Sequence, residues 1–142
     1  MIHTENLLPN TSRYINLTGN KVLAGGYSSS ISNGLHTLII ATGMKGAVGK
    51  IFLQGTLEKD PQENDWFNIP FNNGEESVEF PIYKDPEDKN SEILSNGKVY
   101  SYRFDCLPVW VRVKIDRTYI ENWDKIDPSE FGDFRYINIS YS

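Results

Sequence analysis

A chain of 142 residues has the size of one domain and can bury a core without disulfides or a structural metal, since a domain of that length removes roughly 68–70% of its unfolded surface from water. Its net charge of −5 speaks against a general nucleic-acid binder, which needs a basic footprint to displace counterions. The single cysteine, Cys106, excludes an intrachain disulfide framework, and an aromatic content of 13% suits sheets better than helices.

Residues 1–18, which include Leu7 and Leu8, show little periodicity and are expected to be an extended N-terminal arm, with residues 19–142 forming one domain. Lys21 to Ala24 is a short strand closed by Gly25-Gly26, and Ser28 to Ser32 is a loop. His36 to Ala41 is a compact apolar run between Gly34 and Gly43, expected as a strand buried on both faces. Gly43, Gly46 and Gly49 then read as a turn. Lys50 to Leu57 is a strong strand in which Gly55 suggests a bulge or a close backbone approach. A turn at Asp60 to Asp65 leads to a short strand at Trp66 to Ile69. Ser77 to Tyr83 alternates, but Pro81 marks it as an edge or bulged strand. Lys84 to Asn96 is a charged loop.

Val99 to Asp116 (VYSYRFDCLPVWVRVKID) carries the clearest signal. Tyr100, Tyr102, Phe104 and Cys106 share one face of a first strand, and Val109, Val111, Val113 and Ile115 share one face of a second. The expected structure is a half-buried antiparallel pair joined at Leu107-Pro108. Glu121 to Asp133 is an acidic loop with room for one helical turn, and Phe134 to Tyr141 is a closing strand. Eight or so strands with Gly, Pro and Asn turns and no useful helix imply an all-β antiparallel sandwich, jelly-roll-like, with a closed barrel as the alternative.

No motif points to catalysis, and none to a cofactor or a metal. Asp60, Glu63 and Asp65 beside Trp66 resemble a glycosidase pair, but turn composition already explains them. His3 and His36 lack ligand partners at metal spacing. Asp85, Glu87, Asp88, Asn90 and Glu92 offer oxygens for calcium without the order of a calcium loop, so the 85–92 segment reads as solvated surface. Cys106 reads as a small buried hydrophobe. Sequons occur at Asn10, Asn16 and Asn138, but the N-terminus lacks the regions of a secretion signal, and no apolar run is long enough for a membrane span.

On the outward face of the central pair, Ser101, Arg103 and Asp105 are expected beside Trp110, Arg112, Lys114 and Asp116, as cross-strand pairing or as a protein interface anchored by Trp110, Arg112 and Lys114. An alternative function is carbohydrate binding, with Trp66, Trp123, Tyr119 and Tyr83 as stacking platforms.

The segments GKIFLQGTLEKDPQENDWFNI (49–69) and VYSYRFDCLPVWVRVKIDRTY (99–119) resemble small virion structural proteins of tailed bacteriophages infecting aquatic bacteria. The resemblance covers about half of the chain, and its motifs are structural. It implies a non-enzymatic β-sandwich, made in the host cytoplasm, that assembles with copies of itself and with other virion proteins in a head, neck or tail. It brings no active-site residues. An N-terminal arm would reach onto neighbouring subunits.

Overall fold

The computed structural model describes residues 3–8, 17–19, 21–23, 36–105 and 108–141. It is all-β, as the alternation implied. A four-stranded antiparallel sheet has the order β1 (His3–Leu8), β10 (Gly132–Tyr141), β4 (His36–Ala47) and β8 (Val99–Phe104). The second sheet is centred on β9 (Trp110–Asp116) and β5 (Gly49–Thr56). Two short strands, β2 (Leu17–Thr18) and β3 (Val22–Leu23), pair with β9, and two others, β6 (Phe67–Asn68) and β7 (Ser77–Phe80), pair with β5. Short 3-10 turns occur at Glu63–Asp65, Trp123–Lys125 and Pro128–Phe131.

β2 and β3 are two halves of one interrupted strand along β9, and β6 and β7 are two halves of one along β5. Counted that way the described residues form eight strands. The sheet orders become first–eighth–third–sixth and second–seventh–fourth–fifth. This is a jelly roll, in which almost every connection crosses from one sheet to the other and each sheet's inner face covers its partner's. Leu38, Ile40, Phe104 and Ile137 of the first sheet and Ile51, Leu53, Val113 and Ile115 of the second are all fully buried in one core. Phe80 packs edge-on against Phe134, with ring centroids 5.4 Å apart.

The crossing topology corrects the central pair. β8 and β9 are not a hairpin: β8 pairs with β4, and β9 pairs with β5. Phe104 and Tyr102 do point inward, as do Val111, Val113 and Ile115, so these residues face as the alternation implies while the pairing differs. An arch between sheets buries the same two apolar faces as a hairpin within one sheet, and alternation cannot separate them. As a result Arg103 lies opposite Thr37, whereas Arg112 lies opposite Gln54 on the other sheet.

The arm is corrected as well. His3–Leu8 is the outer strand of this chain's own sheet, in register with β10 from His3↔Tyr141 to Leu8↔Ile137. A register shift between Asn6 and Leu8 lets two consecutive leucines face inward: Leu7 is 0% and Leu8 3% exposed. Leu7 and Leu8 therefore belong to the core and present no surface to a neighbour. Residues 9–16, with the Asn10 and Asn16 sequons, and the loop expected at Ser28–Ser32 lie outside the described residues, as does Cys106.

β4 runs through Gly43 and Gly46, two of the three glycines expected to turn, and the chain crosses to the second sheet at Val48, just before the third, Gly49. Its side chains alternate between buried and half-buried from His36 to Ile40, so one of its faces is the outside of the sandwich. Gly55 is a close approach, as expected: a Cβ there would sit 2.7 Å from Ile69 Cδ1 and 2.9 Å from Pro108. Gly132, with φ +65°, opens β10 where a Cβ would run into the Gly46 carbonyl.

Tyr102 packs its ring on Phe71, centroids 5.3 Å apart. Loss of hydration on burial, aided by the neighbouring Tyr100, pushes its phenol up to about 12. The unfolded chain releases that proton near ~10, so between these values the folded state holds more protons and stability falls as pH rises. Melting temperatures measured from pH 9 to 12 should decline, and Tyr102→Phe should make the decline shallower. An equally steep decline in the variant would show that this hydroxyl does not titrate with folding.

Candidate functional site

The outer face of the second sheet carries the long polar side chains of β9 and β5. Trp110, Arg112, Lys114 and Asp116 alternate outward along β9, opposite Thr56, Gln54, Phe52 and Lys50. Arg112 is nonetheless only 8% exposed, because the Pro61–Trp66 turn folds over it. Its Nε donates to Gln54 Oε1 at 2.9 Å, and its two terminal nitrogens donate to the Glu63 carboxylate at 2.7 and 3.3 Å. Its guanidinium lies 4.2 Å from the Trp66 ring centroid. Gln54 in turn donates to Asn68 Oδ1 at 3.2 Å. The guanidinium holds the Glu63 carboxyl below the ordinary glutamate value, by hydrogen bonding first and charge second.

This network borders an open cleft of about 310 Å³ lined by Gly19, Lys21, Pro61, Gln62, Glu63, Trp66 and Arg112. Lys21 reaches it from the break between β2 and β3, and its Nζ stands 4.5 Å from the Trp110 ring centroid. Trp110 Nε1 donates to the Lys59 carbonyl at 2.8 Å. Glu63, expected only as a turn residue, is thus the anchor of Arg112. Asp65 accepts from the Gln62 amide at 2.7 Å, which shapes the turn. No sequence signal joins Arg112 to Glu63 and Trp66, which are 49 and 46 positions away.

Of the expected interface residues, Trp110, Arg112 and Lys114 share this face. Arg103 lies on the other sheet, and Leu7 and Leu8 lie inside. The expected stacking residues are dispersed. Trp66 lines the cleft, while Tyr119 sits against Lys50 at 4.5 Å. Lys50 and Gln54 are four residues apart on β5, about 13 Å along the strand. Trp123 opens its own 3-10 turn, and Tyr83 bridges to Ile93.

The outer face of the four-stranded sheet is different in kind. Thr4 and Asn6, then Asn138 and Ser140, then Thr37 and Ile39, then Val99 and Ser101 make an uncharged centre across four adjacent strands, and Arg103 ends the row that runs from Thr4 through Ser140 and Thr37. Asn6 Nδ2 donates to Asn138 Oδ1 at 2.8 Å across the first two rows. Arg103 and Arg135 stand at the margins. Val99, at 55% exposed, is an open apolar side chain on it.

In the 85–92 loop, Asp85 and Asp88 accept from the backbone amides of Glu87 and Asn90 at 3.0 and 2.9 Å. These carboxylates are used to shape turns. Among the described residues no group of three or more His, Cys, Asp or Glu is arranged to hold a metal, and no helix is long and apolar enough to cross a membrane. His36 is buried and stacked on Phe104, ring centroids 5.0 Å apart. No family model, curated protein or solved structure matches the chain.

Proposed function

We propose that this chain is a non-catalytic structural component of a tailed-phage particle, a jelly-roll accessory or adaptor unit that assembles with copies of itself and with other virion proteins. The observation that carries it is the outer face of the four-stranded sheet, whose centre is free of charge while Arg103 and Arg135 stand at its edges. Charged residues make up 23% of the chain, yet the centre of this face, from Thr4 and Asn6 across to Ser101, carries none. Depletion of charge at the centre of a face, with arginines at its rim, is the composition of a contact surface. The jelly roll adds support by analogy, since viral capsid and lectin domains use it.

The edges of the second sheet suit the same role. They end in strands of two to four residues, which offer little backbone for uncontrolled pairing. Contact through a face, repeated in many copies, lets weak individual interactions add.

Ile39→Glu places a charge in the middle of this face, opposite Ser101 and Asn138. Sedimentation velocity should show the parent chain as an oligomer and the variant shifted toward monomer, with unchanged circular dichroism. Lys114→Glu, on the other sheet, should leave assembly as it was. A parent that stays monomeric at about 100 µM, well above the ~1 µM dissociation constant of a moderate interface, would remove the proposal. Detection of the chain in many copies by mass spectrometry of purified particles would support the virion setting.

A further inference from the structure

The cleft over Arg112 is on the opposite sheet from the assembly face, and nothing in the assembly role requires it. We propose that it binds an acidic saccharide, one sugar residue carrying a carboxylate and several hydroxyls. Three features of the cleft select that chemistry.

The first is charge. Lys21 and Arg112 bring two positive charges against the single negative charge of Glu63, and Lys114 is near enough to act on Glu63. The cleft is locally positive on a chain of net charge −5, so it favours an anion. The second is Trp66, which lines the cleft: Arg112 lies over one face of its ring, and a sugar ring would pack on the ring surface that Arg112 leaves uncovered. The third is Glu63 itself. Its side chain is 80% exposed even while paired with Arg112, which leaves its carboxylate able to accept from hydroxyls. That same carboxylate repels a phosphate dianion. A sugar residue carrying one carboxylate and several hydroxyls satisfies all three features, and a volume of about 310 Å³ is at the small end of ligand clefts.

In this arrangement the Lys21 ammonium meets the sugar carboxylate. Arg112, locked by Gln54, Glu63 and Trp66, supplies a fixed positive floor at little entropic cost. Gln62 and Glu63 bond the hydroxyls. Lys21 is exposed and lies outside both β2 and β3, so it can be changed without disturbing the strands.

The test is calorimetric titration of the full chain with trigalacturonic acid, with cellotriose and inorganic phosphate as comparators, alongside tryptophan fluorescence. Binding of the acidic trimer, with cellotriose weaker and phosphate unable to compete, is the expected result. Lys21→Gln should weaken the acidic trimer by about tenfold and leave cellotriose unchanged. Trp66→Phe should weaken both. Absence of binding to the acidic trimer at millimolar concentration overturns the proposal, as does competition by phosphate at equal concentration. Equal affinity of Lys21→Gln and the parent for the acidic trimer also overturns it. Because Ile39→Glu reports on the other sheet, either outcome here is separate from the outcome for assembly.

Discussion

Leu7→Ala is expected to destabilise the fold by about 2–5 kcal/mol, the range for removing a fully buried leucine side chain and leaving a cavity behind. Leu7 is 0% exposed and belongs to the same core cluster as Ile137, Ile139 and Val113. It reaches that position because β1 is held along β10. For a chain of this length the loss corresponds to a fall in melting temperature on the order of 5–15 °C. Thr4→Ala, on the exposed side of the same strand, should stay within about 0.5 kcal/mol of the parent. Deleting residues 1–8 should cost more than Leu7→Ala, since it removes Leu7 and Leu8 together and bares the β10 edge. Thermal unfolding followed by circular dichroism measures all three. A deletion variant that melted with the parent would show that β1 is not docked, and an arm reaching onto a neighbouring subunit would return as its role.

The contrast between β1 and the Val99–Asp116 region shows what kind of information alternation holds. In VYSYRF and WVRVKID the period of two is unbroken, so the inward residues could be named from the sequence. In HTENLL it is broken twice: a glutamate occupies an inward-parity position, and the register shift after Asn6 turns Leu7 and Leu8 to the same side. A strand with a bulge near its end does not look like a strand. Pairing partners were beyond reach for another reason. A jelly roll joins strands across two sheets, and a residue's face is a local property while its neighbour is not. The Arg112–Glu63–Trp66 cluster was hidden in the same way, because it forms only when a turn nearly fifty positions away folds over β9.

Arg117 is the site where a continued reading of the period would have succeeded. Val111, Val113, Ile115 and Arg117 are at successive inward positions, and the last is charged yet 0% exposed. Its Nε donates to the Val48 carbonyl at 2.7 Å, and its guanidinium lies 5.0 Å from the Phe131 ring centroid. Val48 is the point where the chain passes from β4 to β5, and its amide donates to the Phe131 carbonyl at 2.9 Å. Arg117 therefore ties the crossover between the sheets to the turn that launches β10. Burial pulls its guanidinium below the ordinary arginine value, so desolvation opposes its charge and the contacts around it must offset that.

Arg117→Ala removes the stem and leaves the Val48 carbonyl without this donor, a combined cost on the order of 3–5 kcal/mol. Arg117→Met keeps most of the stem volume and sheds the buried charge, which is often neutral or favourable by itself. Its cost should be nearer the ~1–3 kcal/mol of an unsatisfied buried carbonyl. Urea unfolding should then rank the parent above Arg117→Met, and Arg117→Met above Arg117→Ala. A methionine variant as weak as the alanine variant would assign the whole effect to hydrogen bonding and charge. An alanine variant within about 1 kcal/mol of the parent would mean that this side chain does not hold the crossover, because truncating a packed, bonded arginine cannot cost so little.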